Sequence, residues 1–136
     1  MPSSRVIDVL AGRPLRGVSG SVPVASACRR LRDDGIGALL VLRRRRLVGI
    51  ISERDIAIRV VAGQRDPMLT LVREVMTPDP GTITAEASHA EAHRRMLAGG
   101  VLHLPVMRDE EVIGMISLRD IPAAPEHGPG DLPALG

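Results

Sequence analysis

Two octapeptides 65 positions apart, GIISERDI at 49–56 and GMISLRDI at 114–121, hold the residues best suited to chemistry. Each sets a serine three residues before an aspartate, Ser52 with Asp55 and Ser117 with Asp120, directly after an apolar run. If the run is a strand and the serine opens a helix, the first turn offers unpaired backbone N–H groups and the positive end of the helix dipole, which together attract phosphate. The serine hydroxyl adds a donor. The aspartate shares its helical face, and its two acceptor oxygens can take both hydroxyls of a ribose. The competing reading is a plain N-cap with a favourable first-turn acid. A cap alone does not require the flanking Gly, Arg and Ile to recur, and here they do.

The recurrence extends beyond the octapeptides. Residues 18–56 laid on 83–121 without a gap give 14 identities in 39 positions. The chain therefore contains a duplication, and two like units that pack together bury faces neither could bury alone. In the first copy Val24, Ala27, Cys28 and Leu31 follow the period of an amphipathic helix, entered through Pro23 and stopped at Gly35. Two apolar runs joined by four arginines, ALLVL and LVGII, read as a β-hairpin. A second helix over ERDIAIRVVAG is capped by Ser52 and closes near Gly63. In the second copy Ser88 and Glu91 form a capping box, Gly99 and Gly100 end the helix, and VLHLPVM with EVIGMIS form the hairpin. A short extended piece precedes each copy, around Val18 and Ile83. Pro122 opposes continuation of the last helix, which is therefore clipped. The expected organisation is repeat 1 over 1–65, repeat 2 over 66–121 and a loosely ordered Pro- and Gly-rich tail over 122–136.

Composition narrows the function classes. With 44% hydrophobic and 25% charged residues the chain reads as soluble and globular, and no apolar run approaches the roughly 20 residues of a membrane helix. The opening MPSSRVIDVL lacks the apolar core of a secretory signal, and the single Cys28 has no partner for an internal disulfide, so a cytoplasmic location and no membrane contact are expected. All 18 basic residues are arginine. Residues 1–66 carry 13 of them against 6 acids, whereas residues 67–136 carry 5 against 10, so the halves are electrically opposite despite a net charge of only +2.

GIISERDI, GMISLRDI and VLHLPVM together resemble the signatures of the cystathionine β-synthase (CBS) domain pair, or Bateman module, and most closely its small stand-alone bacterial members. The resemblance covers residues 6–121. It implies a mixed α/β (α+β) fold of two tandem β-α-β-β-α repeats packed sheet to sheet about a pseudo-twofold axis. It also implies two clefts for adenosine-containing ligands: AMP, ADP, ATP, NAD(H) or S-adenosylmethionine. Carried over by position, the Ser-x-x-Asp element falls on Ser52 and Asp55 in one cleft and on Ser117 and Asp120 in the other. The adenine-lining segment falls on Gly17 and Val18, and on Thr82 and Ile83. The strand-edge segment falls on Ile36, Ala38 and Leu39, and on Val101, His103, Leu104 and Pro105. Arg54 and Arg119, inside the two motifs, count with the nucleotide-binding set; Arg119 replaces a residue that is small in many relatives, and it either clasps a phosphate or obstructs its cleft. No aromatic residue is available to stack on a base.

Other features have less specific readings. Arg43, Arg44, Arg45 and Arg46 sit in the hairpin turn, either as a solvated turn or as a nucleic-acid contact through phosphate neutralisation. The equivalent turn reads RDEE, which also fits a charge-complementary contact between partner molecules in a head-to-tail dimer. His89 and His93 are four apart on a helix but lack a third metal ligand, His103 reads equally as a core or a ligand-facing residue, and Cys28 reads as packing. The leading expectation is a non-enzymatic sensor with no required cofactor, a homodimer whose adenosyl ligand acts on an effector protein the sequence does not name. The alternative is a nucleic-acid-binding protein using the arginine turn.

Overall fold

A computed structural model describes residues 5–121; the expectations for Pro122 and for the tail at 122–136 lie outside them. The first repeat begins with β1 (Gly17–Ser19), followed by α2 (Val24–Asp34), β2 (Ala38–Arg43) and β3 (Arg46–Ser52). Helix α2 buries Val24, Ala27 and Leu31 and ends at Gly35, whose left-handed φ of 64° suits a residue without a Cβ. Beyond Ser52 the chain makes one α-turn, α3 (Glu53–Asp55), then a π-helical segment (Ile56–Val61) in place of the regular helix expected. Four of its six residues are β-branched, the class that crowds an α-helical turn most, and the wider turn loosens them.

The second repeat follows the same plan: β5 (Ile83–Thr84), α5 (His89–Gly99), β6 (His103–Arg108) and β7 (Glu111–Ser117). Ser88 caps α5 by accepting from the Glu91 N–H at 3.0 Å, while the Glu91 carboxylate turns along the helix toward Arg95. After Ser117 there is a single 3₁₀ turn (Leu118–Asp120), the clipped helix foreseen, and Ile121 is already extended at φ −100° and ψ 115°. In both sheets the first strand runs parallel to the second and the hairpin is antiparallel; the orders are β1-β2-β3-β4, where β4 is the short strand Thr77–Pro78, and β5-β6-β7. The two sheets meet through β3 and β7. Pro105 sits in β6 ahead of its pairing with β5, where its missing N–H is not called upon.

Two short helices that the sequence pattern does not reveal tie the repeats together. Helix α1 (Val6–Val9) docks on the second repeat, with Val6 and Ile7 N–H groups donating to the carbonyls of Ala87 and Ala85 at 2.9 Å each. Helix α4 (Val72–Val75) docks on the first in the same way, Val72 to Val22 and Arg73 to Gly20, again at 2.9 Å, and leads into β4 (Thr77–Pro78) on the edge of β3. The two cores are built accordingly. Val6 and Leu10 pack with Ile83, Met96, Leu104 and Ile116, whereas Val72 and Val75 pack with Val24, Leu39, Ile51 and Val60.

The paired glycines explain how the linkers cross. A β-bulge at Val48, repeated at Ile113, bends each hairpin just before Gly49 and Gly114. A Cβ at Gly49 would lie 2.5 Å from Met76 Sδ and 3.0 Å from the Thr77 carbonyl oxygen; one at Gly114 would lie 2.9 Å from both terminal carbons of Leu10. Gly49→Ala should therefore cost about 1–3 kcal/mol in urea unfolding. It should cost more than Gly114→Ala, because only at Gly49 must backbone as well as a flexible side chain move. Equal stabilities would contradict this packing.

Candidate functional site

Both motif corners are strand-to-helix caps. In the first, the Ser52 N–H donates to Asp55 Oδ2 at 2.9 Å and the Asp55 N–H donates to Ser52 Oγ at 3.1 Å. The other carboxylate oxygen, Oδ1, accepts from the Thr77 hydroxyl at 3.1 Å and faces Arg59 at 3.6 Å. In the second, the Ser117 N–H donates to Asp120 Oδ2 at 2.7 Å and the Ser117 hydroxyl to the same oxygen at 3.2 Å. Arg13 then closes a two-pronged pair on Asp120, Nη2 to Oδ1 at 2.9 Å and Nη1 to Oδ2 at 3.1 Å. So each aspartate orders its own corner and is met by a side chain from the linker that crosses over from the other repeat. The N-cap reading describes the local bonding, and the oxygens keep further lone pairs.

The second repeat comes close to the first corner at Gly37, where a Cβ would lie 2.8 Å from Glu53 Oε1 and 3.4 Å from His103 Nε2. His103, at the start of β6, thus faces the first repeat's corner. Burial pushes its imidazole below the usual histidine range, against the opposing pull of Glu53 and Asp120. Burial also pulls the Asp120 carboxyl up, but the Arg13 fork and the Ser117 amide outweigh it and hold the group below its ordinary value.

The remaining candidates divide by depth. Gly17 and Val18 lie on β1, and Thr82 lies just before β5, partly buried. Ala38, Leu39, Ile83 and Leu104 are buried in the cores, so their side chains hold the sheets together and only their backbone edges are free to line a cleft. Pro105 is likewise buried, Val101 is 42% exposed, and Arg54 and Arg119 are exposed on the first turns. Ile36 lines a groove of about 360 Å³ between α2 and the π-helical segment, with Cys28, Leu31, Glu53, Ile56 and Val61. Cys28 packs on the first core, its thiol pushed up by burial, as a packing residue would be. Arg13, Thr77, Gly37 and Glu53 were not singled out from the sequence, because three of them owe their place to the crossing of linkers or the facing of corners rather than to motif spacing.

The other sequence features are placed plainly. Arg43 pairs with Arg46 across the hairpin, and Arg44 and Arg45 occupy a two-residue turn with φ of 52° and 68°. All four are exposed. This tip and its counterpart flank one open groove of about 310 Å³, lined by Arg46 and Glu110 among others, so the two turns lie side by side within a single chain. His89 is bonded through Nε2 to the Arg5 carbonyl oxygen at 2.9 Å, and no group of three or more metal-ligating side chains converges among the described residues. Among those residues no helix is long and apolar enough to cross a membrane.

Comparison with known proteins fits this geometry. The CBS domain matches twice, at residues 6–62 and 72–125, and the chain belongs to that family. A proposed signal-transduction protein with CBS domains from Burkholderia ambifaria is 32% identical, with a TM-score of 0.81 over 86% of this chain and 90% of that one. A CBS domain protein from Pyrobaculum aerophilum, solved in complex with AMP, is 23% identical, with a TM-score of 0.78 over 85% and 88% of the two chains, and shares the fold. A CBS domain-containing protein of Arabidopsis thaliana is 38% identical over 90 residues, 66% of this chain. The chain spans about a sixth of the length of that relative.

The histidine between the corners gives a measurable pH dependence. A histidine whose folded pKa is depressed contributes stability that is complete above its unfolded value near 6.5 and is lost as pH falls through the folded value. Acidification from pH 7 to pH 5 should lower the melting temperature of the wild type more than that of His103→Gln. Parallel melting curves would contradict the buried placement of the ring.

Proposed function

We propose that this chain is a non-enzymatic sensor that takes an adenosine-containing ligand in the two corner clefts and passes the bound state to an effector protein. The observation that carries this reading is the pair of capped aspartates, Asp55 and Asp120, held by linkers from opposite repeats with His103 between their corners. A ligand that exchanges hydroxyls for the linker contacts changes how one repeat sits against the other. Ribose supplies such hydroxyls, and the first-turn N–H groups with Arg54 or Arg119 suit an attached phosphate. The AMP complex of a protein with the same fold supports this ligand class. On this reading the clefts bind rather than catalyse, and they ask for no cofactor.

Self-association as a homodimer belongs to the same reading. The groove between α2 and the π-helical segment is apolar, and Ile58 and Val61 beside it are 54% and 72% exposed, a face that a second copy would cover. A cytoplasmic location is in keeping with it. The exposed arginine tip shares its groove with Glu110, and the related proteins give the nucleic-acid alternative no support.

A melting-temperature screen against AMP, ADP, ATP, NADH and S-adenosylmethionine tests the proposal. A ligand at 100 times its Kd stabilises the fold by about 2.7 kcal/mol, which for a chain of this size is roughly 10 °C. Asp55→Ala and Asp120→Ala should each lower the baseline by about 1 kcal/mol through a lost cap. Each should also remove the ligand response of one cleft. A full response surviving both substitutions would overturn the ribose assignment.

A further inference from the structure

The two corners differ in one respect that their shared motif conceals. On Asp55 the only hydrogen bond from the linker is one neutral hydroxyl, Thr77 on one oxygen, with the Arg59 guanidinium 3.6 Å away and already donating to the Val75 and Met76 carbonyls, whereas Arg13 engages both oxygens of Asp120 with a charged fork. A hydroxyl exchanges readily with the hydroxyl of a sugar. A guanidinium displaced from its carboxylate leaves a cation that needs another anion, and a neutral ligand brings none.

The surroundings of Arg13 allow that exchange. It follows Gly12, which has φ of 76°, at the end of the turn closing α1, and its backbone N–H is anchored to the Leu10 carbonyl at 2.9 Å. The backbone is therefore fixed while the side chain, 47% exposed, reaches over Asp120, whose own side chain is only 18% exposed. The carboxylate is sheltered and the guanidinium is at the rim. A ligand entering from solvent meets Arg13 first.

We propose that Arg13 sets the specificity of the second cleft: it holds Asp120 against neutral nucleosides and yields it to ligands whose phosphate takes over the guanidinium. This rests on the reading of Asp120 as a ribose-binding residue. The first cleft, without such a fork, accepts adenosine and its phosphates more evenly. The pair of clefts then reports two things, the presence of the nucleoside at Asp55 and its phosphorylation at Asp120.

The Ser117 and Ser52 amides, which donate to Asp120 and Asp55 respectively, report the two clefts separately by NMR. The wild type and Arg13→Ala are titrated with adenosine and with AMP. In the wild type the Ser117 amide should show AMP binding about tenfold tighter than adenosine. In Arg13→Ala the adenosine affinity there should rise about fivefold, the AMP affinity should fall, and the affinities read at Ser52 should stay as they were. Arg13→Gln, which keeps the length and loses the charge, should shift the preference in the same direction. An unchanged preference at Ser117 in both variants overturns this inference alone. Absence of any response to either ligand at both amides of the wild type overturns the ribose reading as well.

Discussion

The structure depends on the close passage of each linker over the hairpin of the opposite repeat. Gly49 and Gly114 leave room for Met76 and Leu10 where any side chain would collide, and the bulges at Val48 and Ile113 bend the strands beneath them. Through that passage α1 completes the core of the second repeat and α4 that of the first. Neither repeat has a whole core from its own contiguous residues. The interlock also decides what sits on the motif aspartates, since Thr77 and Arg13 arrive on those same linkers.

Stability and the proposed binding therefore share atoms. Asp55 and Asp120 cap their corners through the Ser52 and Ser117 amides, and they carry the contacts that fasten one repeat to the other. A ligand that engages these oxygens acts on the joint itself. Because packed cores have discrete arrangements rather than a continuous range, a small exchange at such a joint can bias the relation of the two repeats. On the proposed reading, a chain of the CBS family can thus signal without a separate moving element.

Much of the fold was legible in the sequence because the duplication supplied two independent readings of each element. The helices ending at Gly35 and Gly100, the hairpins and the extended pieces at Val18 and Ile83 followed from apolar period and glycine position. What escaped were α1 and α4, four residues each, too short to show a helical period, whose helicity is imposed by docking. The hairpin turns were placed by the sequence, but not their backbone conformation. Arg44–Arg45 and Asp109–Glu110 adopt left-handed conformations without glycine or asparagine, forced by the twist of the strands they join. At the candidate site the Ser-x-x-Asp pairs were evident, but Arg13 and Thr77 were not, since their place depends on which repeat a linker visits.

The most direct test is a structure of the chain with AMP bound. The account places the ribose hydroxyls within hydrogen-bond distance of Asp55 or Asp120, with Thr77 or Arg13 displaced from that carboxylate. AMP seated in the groove between α2 and the π-helical segment, with both aspartates still held by Thr77 and Arg13, would contradict it.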